Sequence, residues 1–154
     1  MSGIEVRMVH LLEQDPSWVR LPKPSNQLVN WFHASEDGRR ITSEFFIRHE
    51  ERELLAIATF GPKAEGHGGL AHGGALLTLL DDAMGTCAWL AGAVVVTARL
   101  ETDFRRPIPL GTPVEARCRV TRSEGRKVWV HCEVVSAAGV HVEAEGLWVQ
   151  RRGE

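Results

Sequence analysis

The chain has 154 residues, of which 44% are hydrophobic and 25% are charged, and its formal net charge is −2. This length and balance indicate one soluble globular domain, and the formal charge gives no support for a nucleic-acid partner; no membrane partner is expected. No apolar run is long enough to span a bilayer, and we expect no signal peptide. The three cysteines lack metal-ligand spacing, which favours reduced thiols and a cytoplasmic location.

The N-terminal residues 1–39 are predicted to form an arm and a short helix, ahead of a main domain at 40–154. Ser25 is a candidate N-cap for this helix because serine side chains accept hydrogen bonds from first-turn N–H groups. The apolar side of the helix would carry Leu28, Trp31 and Phe32.

The main domain is predicted to contain two strands, one long helix and four further strands. Alternation of apolar and polar residues places the strands at 40–48, 53–60, 94–106, 113–122, 127–136 and 140–151. In the third strand this alternation puts Val94, Val96 and Leu100 on one face, and Thr97 and Arg99 on the other. Strands on both sides of one apolar helix favour an α+β fold, with an antiparallel sheet wrapped around that helix.

The helix follows a glycine-rich loop and begins at His72-Gly73-Gly74. A Gly-Gly start leaves backbone N–H groups unpaired and little shielded, so this end can hold an oxyanion. Helical spacing places several apolar side chains on one face: Leu76, Leu80, Ala83, Met84 and Cys87.

Two adjacent acids, Asp81 and Asp82, lie farther along this helix. Asp81 falls at the edge of the apolar face, so we expect it to be partly desolvated and therefore a stronger base. Asp82 falls nearly opposite the centre of that face and is expected to be a solvated surface charge. Gly85, one turn later, is expected to leave room beside Asp81 for a ligand. An oxyanion-binding loop followed by a carboxylate indicates acyl transfer.

The spacing of His72 and Asp81 favours a shared active site. Nine residues of helix separate them by about 13 Å along the axis and turn them to nearly opposite sides. Two such helices packed antiparallel about a two-fold axis would bring the loop of one subunit to Asp81 of the other. The sequence therefore predicts a homodimer.

With this order of elements, the chain resembles the hotdog-fold acyl-CoA thioesterases that carry an HGG motif. That branch includes bacterial phenylacetyl-CoA thioesterases and mammalian mitochondrial long-chain acyl-CoA thioesterases. The resemblance covers roughly residues 40–151. It rests on the HGG at 72–74 with Asp81 nine residues after the histidine, on Thr97 sixteen residues after that acid, and on the turn at 124–127.

The resemblance implies a catalytic role for five residues. The amide of Gly73, with Gly74, would bind the thioester oxygen, and His72 would help to orient it. Asp81 of the partner subunit would act on the carbonyl carbon, either by activating water or by direct attack. Thr97 would hold the water or steady Asp81.

The resemblance also implies contacts with coenzyme A at Arg126 and Lys127, in a turn that lies near the coenzyme A phosphates in such proteins. Arg105 is a further candidate because arginine pairs well with phosphate. Some relatives have an asparagine where this chain has Gly66, and the adjacent His67 would take over that polar role. The implied substrate is an acyl-CoA, the assembly is a homodimer or homotetramer, and no cofactor or metal is required.

Two other classes remain open. A hotdog enoyl-thioester hydratase or dehydratase would pair a histidine with an acid, and a non-catalytic acyl-CoA sensor would need no poised carboxylate. A metal site at His67 and His72 lacks a third ligand at a telling spacing. No cysteine lies at a helix N-terminus or beside clustered positive charge, which argues against a thiol nucleophile.

Overall fold

The computed structural model describes residues 15–22 and 37–152. Ser25 and the helix predicted around it lie outside the described residues. The elements are β1 (Val19–Arg20), β2 (Ile41–Arg48), β3 (Glu53–Phe60), β4 (Glu65–His67), β5 (Leu70–Ala71), α1 (Gly73–Trp89), β6 (Val95–Phe104), β7 (Val114–Glu124), β8 (Lys127–Ser136) and β9 (Gly139–Gln150).

Seven strands form one antiparallel sheet in the order β1-β2-β3-β7-β8-β9-β6, and α1 packs against one face of it. The predicted order of two strands, one helix and four strands is confirmed, with strand ends within two residues of the predicted ones. Two features were not predicted. Strand β1 pairs with β2, and the glycine-rich segment before α1 forms the small hairpin β4–β5.

The core lies between α1 and the inner face of the sheet, which is the face toward the helix. The helix buries the predicted apolar face together with two neighbours: Leu76, Leu79, Leu80, Ala83, Met84, Cys87 and Ala88. Opposite them, β3 contributes Leu54, Ala56, Ala58 and Phe60. Burial of so many apolar side chains on one helix stabilises this arrangement more than helix propensity does. Within the described residues no helix has the length and apolarity to cross a membrane.

Strand β6 contains a β-bulge at Ala98. Thr97 lies opposite Trp148 in β9, whereas Arg99 lies opposite Leu147, so two steps along β6 correspond to one step along β9. A bulge of this kind changes which face the following residues present. Residues before and after Ala98 therefore alternate in different phases.

The regular alternation predicted for β6 is wrong because of this bulge. Val94 and Val96 are exposed, at 57% and 50%, whereas Val95 is buried at 8%. Thr97, predicted on the face away from Leu100, shares the inner face with it. The bulge therefore turns Thr97 toward α1.

All three cysteines are free and buried, as expected for Cys87 and Cys118. Burial raises the pKa of the Cys87 thiol from 9.0 to about 12, and burial raises the pKa of Cys118 well above 9.0. Cys118 and Cys132 face each other across β7 and β8, with 3.1 Å between their Sγ atoms. The thiols therefore behave as small apolar core residues.

These raised pKa values predict a loss of stability at alkaline pH. The folded protein holds the thiol protons more tightly than the unfolded chain does. The free energy of unfolding is therefore unaffected below about pH 9 and falls above it, by about 1.4 kcal/mol per pH unit per thiol. The chain has no tyrosine that would titrate in this range.

Urea unfolding at several pH values between about 8 and 11 measures this dependence. The Cys87→Ala variant is the matched control, because it removes one shifted thiol and should show a shallower decline. Equal slopes for the two proteins would contradict the assignment of the loss to Cys87.

Candidate active site

The first backbone donor of α1 has no acceptor in the described part of the chain. His72 is the N-cap, with φ −65° and ψ 137°, and its Nδ1 accepts a hydrogen bond from the Gly74 N–H at 2.8 Å. The Gly73 N–H has no acceptor within residues 15–22 and 37–152. The Gly74 N–H is therefore paired with the imidazole, whereas the Gly73 N–H stays available to an acceptor from outside the chain.

The hairpin β4–β5 fixes the position of this helix end. The His72 N–H donates to the Ala64 carbonyl at 2.7 Å, and the Ala71 N–H donates to the Ile108 carbonyl at 2.9 Å. A Cβ atom at Gly66 would lie only 2.8 Å from the Cα of His72. An asparagine could not replace Gly66 without displacing His72. His67, next to it, is exposed.

The carboxylate of Asp81 is held by Thr97. The Thr97 Oγ1 donates a hydrogen bond to Asp81 Oδ1 at 2.6 Å, which joins the middle of α1 to β6. Asp81 is exposed in the single chain and Asp82 is half-buried, which reverses the burial predicted for the two acids. The sequence period located the apolar face correctly, but it does not determine how far neighbouring elements cover the residues at the edges of that face.

The space at Gly85 is filled by protein. A Cβ atom at Gly85 would lie 3.2 Å from the indole Nε1 of Trp148. The expectation that Gly85 leaves room for a ligand is therefore wrong, because Trp148 occupies that room.

The predicted coenzyme A contacts lie in two places. Arg126 and Lys127 lie at the β7–β8 turn. Val128, the next residue, is opposite Trp148, and Trp148 is opposite Thr97, so this turn lies close to the level of Thr97 along the strands. The Arg126 guanidinium donates to the Gln150 carbonyl at 2.9 and 3.1 Å. Lys127 is exposed and makes no ion pair within the described part of the chain.

Arg105 lies at the other end of β6, just after Phe104. Its guanidinium forms an ion pair with Glu143. A Cβ atom at Gly73 would lie 3.7 Å from the Phe104 ring, so this end of β6 is beside the N-terminus of α1. Arg105 therefore lies at the end of the sheet near Gly73, whereas Arg126 and Lys127 lie at the end level with Thr97.

One chain does not bring Gly73 and Asp81 together. About 12 Å of helix separates them along the axis of α1. Exposed apolar side chains surround this part of the molecule: Leu77, Trp89, Val94, Val96 and Phe104. Apolar exposure of this extent on a helix and a neighbouring edge strand is typical of an interface. No group of three or more potential metal ligands occurs in residues 15–22 and 37–152.

The thioesterase superfamily model matches residues 68–143, the stretch that contains the N-terminus of α1, Asp81 and Thr97. The acyl-coenzyme A thioesterase THEM4 of Bos taurus is 35% identical over 117 residues, which are 75% of this chain and 48% of that protein. The chain spans about half the length of the curated relatives that it matches.

Solved structures show the same architecture. A crystal structure of a thioesterase superfamily protein superposes with a TM-score of 0.65 and 28% identity, over 70% of this chain and 53% of that one. A mutant of the phenylacetic acid degradation protein PaaI from Thermus thermophilus gives a TM-score of 0.64 and 23% identity, over 75% and 96% of the two chains.

The long helix against a large antiparallel sheet is therefore the hotdog fold of thioesterase-type domains. The family follows from the match to the thioesterase superfamily model and from the similarity to acyl-coenzyme A thioesterases. Residues 68–143 belong to a domain of the thioesterase superfamily.

Proposed function

We propose that this chain is the subunit of a homodimeric acyl-CoA thioesterase that hydrolyses its substrate to a carboxylic acid and coenzyme A. The observation that carries the proposal is that α1 holds two different functional groups at two different places. An unpaired Gly73 N–H lies at its start, and a carboxylate held by Thr97 lies in its middle. The THEM4 relatives, named acyl-coenzyme A thioesterases, support the same reaction and substrate class.

The reaction needs one base and one oxyanion donor. Asp81 removes a proton from water, and the water oxygen forms a bond to the thioester carbon. The Gly73 N–H, at the positive end of the helix dipole, stabilises the negative oxygen of the tetrahedral intermediate. The carbon–sulfur bond then breaks, and the leaving thiolate receives the proton held by Asp81. His72 keeps the helix end in place through Gly74, and Thr97 orients the carboxylate.

The dimer supplies the missing proximity, since Gly73 of one subunit meets Asp81 of the other. Support comes from the position of β6, a ten-residue strand at the edge of the sheet with exposed Val94 and Val96 at its start. Pairing about a two-fold axis would cover these valines and place two sites symmetrically. A dimer of dimers is compatible with the same interface.

The phosphates of coenzyme A would contact basic side chains that each of the two subunits contributes near this site. The proposed phosphate contacts are Arg126 and Lys127, at the end of the sheet level with Thr97, and Arg105 near Gly73 of the other subunit, and the exposed His67 flanks the thioester. The chemistry requires no metal or redox cofactor. Three free, buried cysteines support a reducing, cytoplasmic location.

Free-thiol release from a panel of short, aromatic, long and enoyl acyl-CoAs tests the function. We expect one thiol and one carboxylic acid per thioester consumed, because hydrolysis yields both. The cysteines of the protein are buried and will contribute little background. Sedimentation of the same protein should give the mass of a dimer or tetramer.

Other outcomes would contradict the proposal. Loss of enoyl absorbance without thiol release would identify a hydratase. Saturable binding of acyl-CoA without any thiol release would identify a sensor.

A further inference from the structure

The Trp148 side chain fills a space that exists because Gly85 and Gly146 have no side chains; we call this space the seat. Trp148 is the largest fully buried side chain described, at 1% exposure. A Cβ atom at Gly146 would lie 2.2 and 2.3 Å from two atoms of its six-membered ring, so any side chain there would collide with the indole. A Cβ atom at Gly85 would lie 3.2 Å from Nε1 and 3.9 Å from Cδ1 and Cε2. One edge of the ring therefore rests on α1 and the other on β9.

This seat lies directly beside the Asp81–Thr97 hydrogen bond. Trp148 is the residue opposite Thr97 in the β6–β9 ladder, and opposed residues project from the same face. Gly85 follows Asp81 by four residues, so the two lie on the same side of α1. The indole therefore spans the gap between the helix and the sheet where Thr97 reaches across to Asp81.

The width of that gap decides whether the hydrogen bond forms. The Thr97 Oγ1 to Asp81 Oδ1 distance is 2.6 Å, and a threonine side chain is too short to follow a large shift of the helix. A rigid, two-ring side chain is a suitable spacer because it has few rotamers and does not compress.

We propose that Trp148 is a positioning residue of the thioesterase site, acting through Thr97. Its indole, seated between Gly85 and Gly146, sets the separation of α1 and β6 at which Thr97 orients Asp81. This inference rests on the proposed function, because it assigns Trp148 a role in that same site.

A double-mutant cycle of Gly85→Ala and Thr97→Val tests the inference. The added methyl group would press on Nε1 and move the helix by a few tenths of an ångström. Alanine is a better helix former than glycine, so the variant is expected to fold. We expect Gly85→Ala to lower kcat about tenfold with KM little changed. In the Thr97→Val background the same substitution should change kcat by less than about twofold, since the bond it disturbs is already gone.

Leu54→Ala is the control for general loosening of the core. Leu54 is 1% exposed in β3 and belongs to the same core, so its truncation lowers stability without touching the gap at Trp148. We expect this variant to melt at a lower temperature and to keep kcat within about twofold of wild type.

A second pair of variants tests the seat itself. Gly146→Ala should lower both the melting temperature and kcat, because its methyl group collides with the six-membered ring. Trp148→Phe removes the outer atoms of that ring but also the edge that contacts Gly85, so the combination Gly146→Ala with Trp148→Phe should recover melting temperature in part while kcat stays low.

Full recovery of kcat by the combination of Gly146→Ala and Trp148→Phe would overturn the inference, as would equal effects of Gly85→Ala with and without Thr97. In either case the proposed function stands, provided that the wild type hydrolyses acyl-CoA. Absence of turnover in the wild type would overturn both.

Discussion

Replacement of Asp81 by asparagine should reduce kcat for acyl-CoA hydrolysis by about a thousandfold or more. The amide has nearly the same shape, and its oxygen can still accept the hydrogen bond that Thr97 donates at 2.6 Å. What the variant loses is the ability to take a proton from water. We therefore expect normal folding and substrate binding, with only the residual thiol release that binding and the Gly73 donor support.

Asp82→Asn is the matched control for this experiment. It removes the same charge from the adjacent residue of α1, so a general electrostatic effect would slow both variants alike. We expect Asp82→Asn to keep kcat within about threefold of wild type. Thiol release that survives in Asp81→Asn would keep the reaction class but overturn the role of Asp81.

Replacement of Gly73 by proline should lower kcat by a factor of about 100 to 1,000, because it deletes the proposed oxyanion donor. Proline is well tolerated at the first helical position, where the N–H has no partner within the helix. The preceding residue, His72, already has the extended backbone, φ −65° and ψ 137°, that a residue before proline prefers. The variant should therefore keep its fold while losing the backbone N–H proposed to bind the oxyanion.

Gly73→Ala separates loss of the donor from crowding. Alanine keeps the N–H, and its methyl group would make an ordinary contact of 3.7 Å with the Phe104 ring. We expect a smaller loss of kcat for alanine than for proline. Equal losses for the two variants would mean that bulk at this position, and not the missing donor, blocks the reaction.

The sequence was sufficient to predict the parts of the site that depend on local pattern. The N-terminus of α1 is visible in the sequence because a Gly-Gly start after a histidine has a local conformational cause. The partner of Asp81 came from the family resemblance, and the structure places the two side chains in contact. Which amide of the two glycines is free could not be predicted, since it depends on the imidazole Nδ1 of His72 bonding to Gly74.

The errors have long-range causes. Trp148 lies 63 residues after Gly85 in the chain, so nothing local to Gly85 indicates that an indole fills the space beside it. The relative burial of Asp81 and Asp82 depends on how the elements around α1 pack, and helix periodicity does not contain that information. These two errors concern how elements pack. The order and bounds of the long strands were predicted to within two residues, but the bulge that breaks the alternation of β6 was not.

The bulge at Ala98 has a consequence for comparing sequences within this family. Before the bulge the odd-numbered residues of β6, such as Thr97, face the helix. After it the even-numbered residues, such as Leu100, face the helix. Suppose that an alignment is anchored on Leu100 and places a gap at Ala98 to keep a regular alternation. Thr97 is then shifted by one position and is matched to residues that point away from the helix. Homologues of Thr97 are better found by counting forward from the histidine and two glycines than by following the hydrophobic pattern backward.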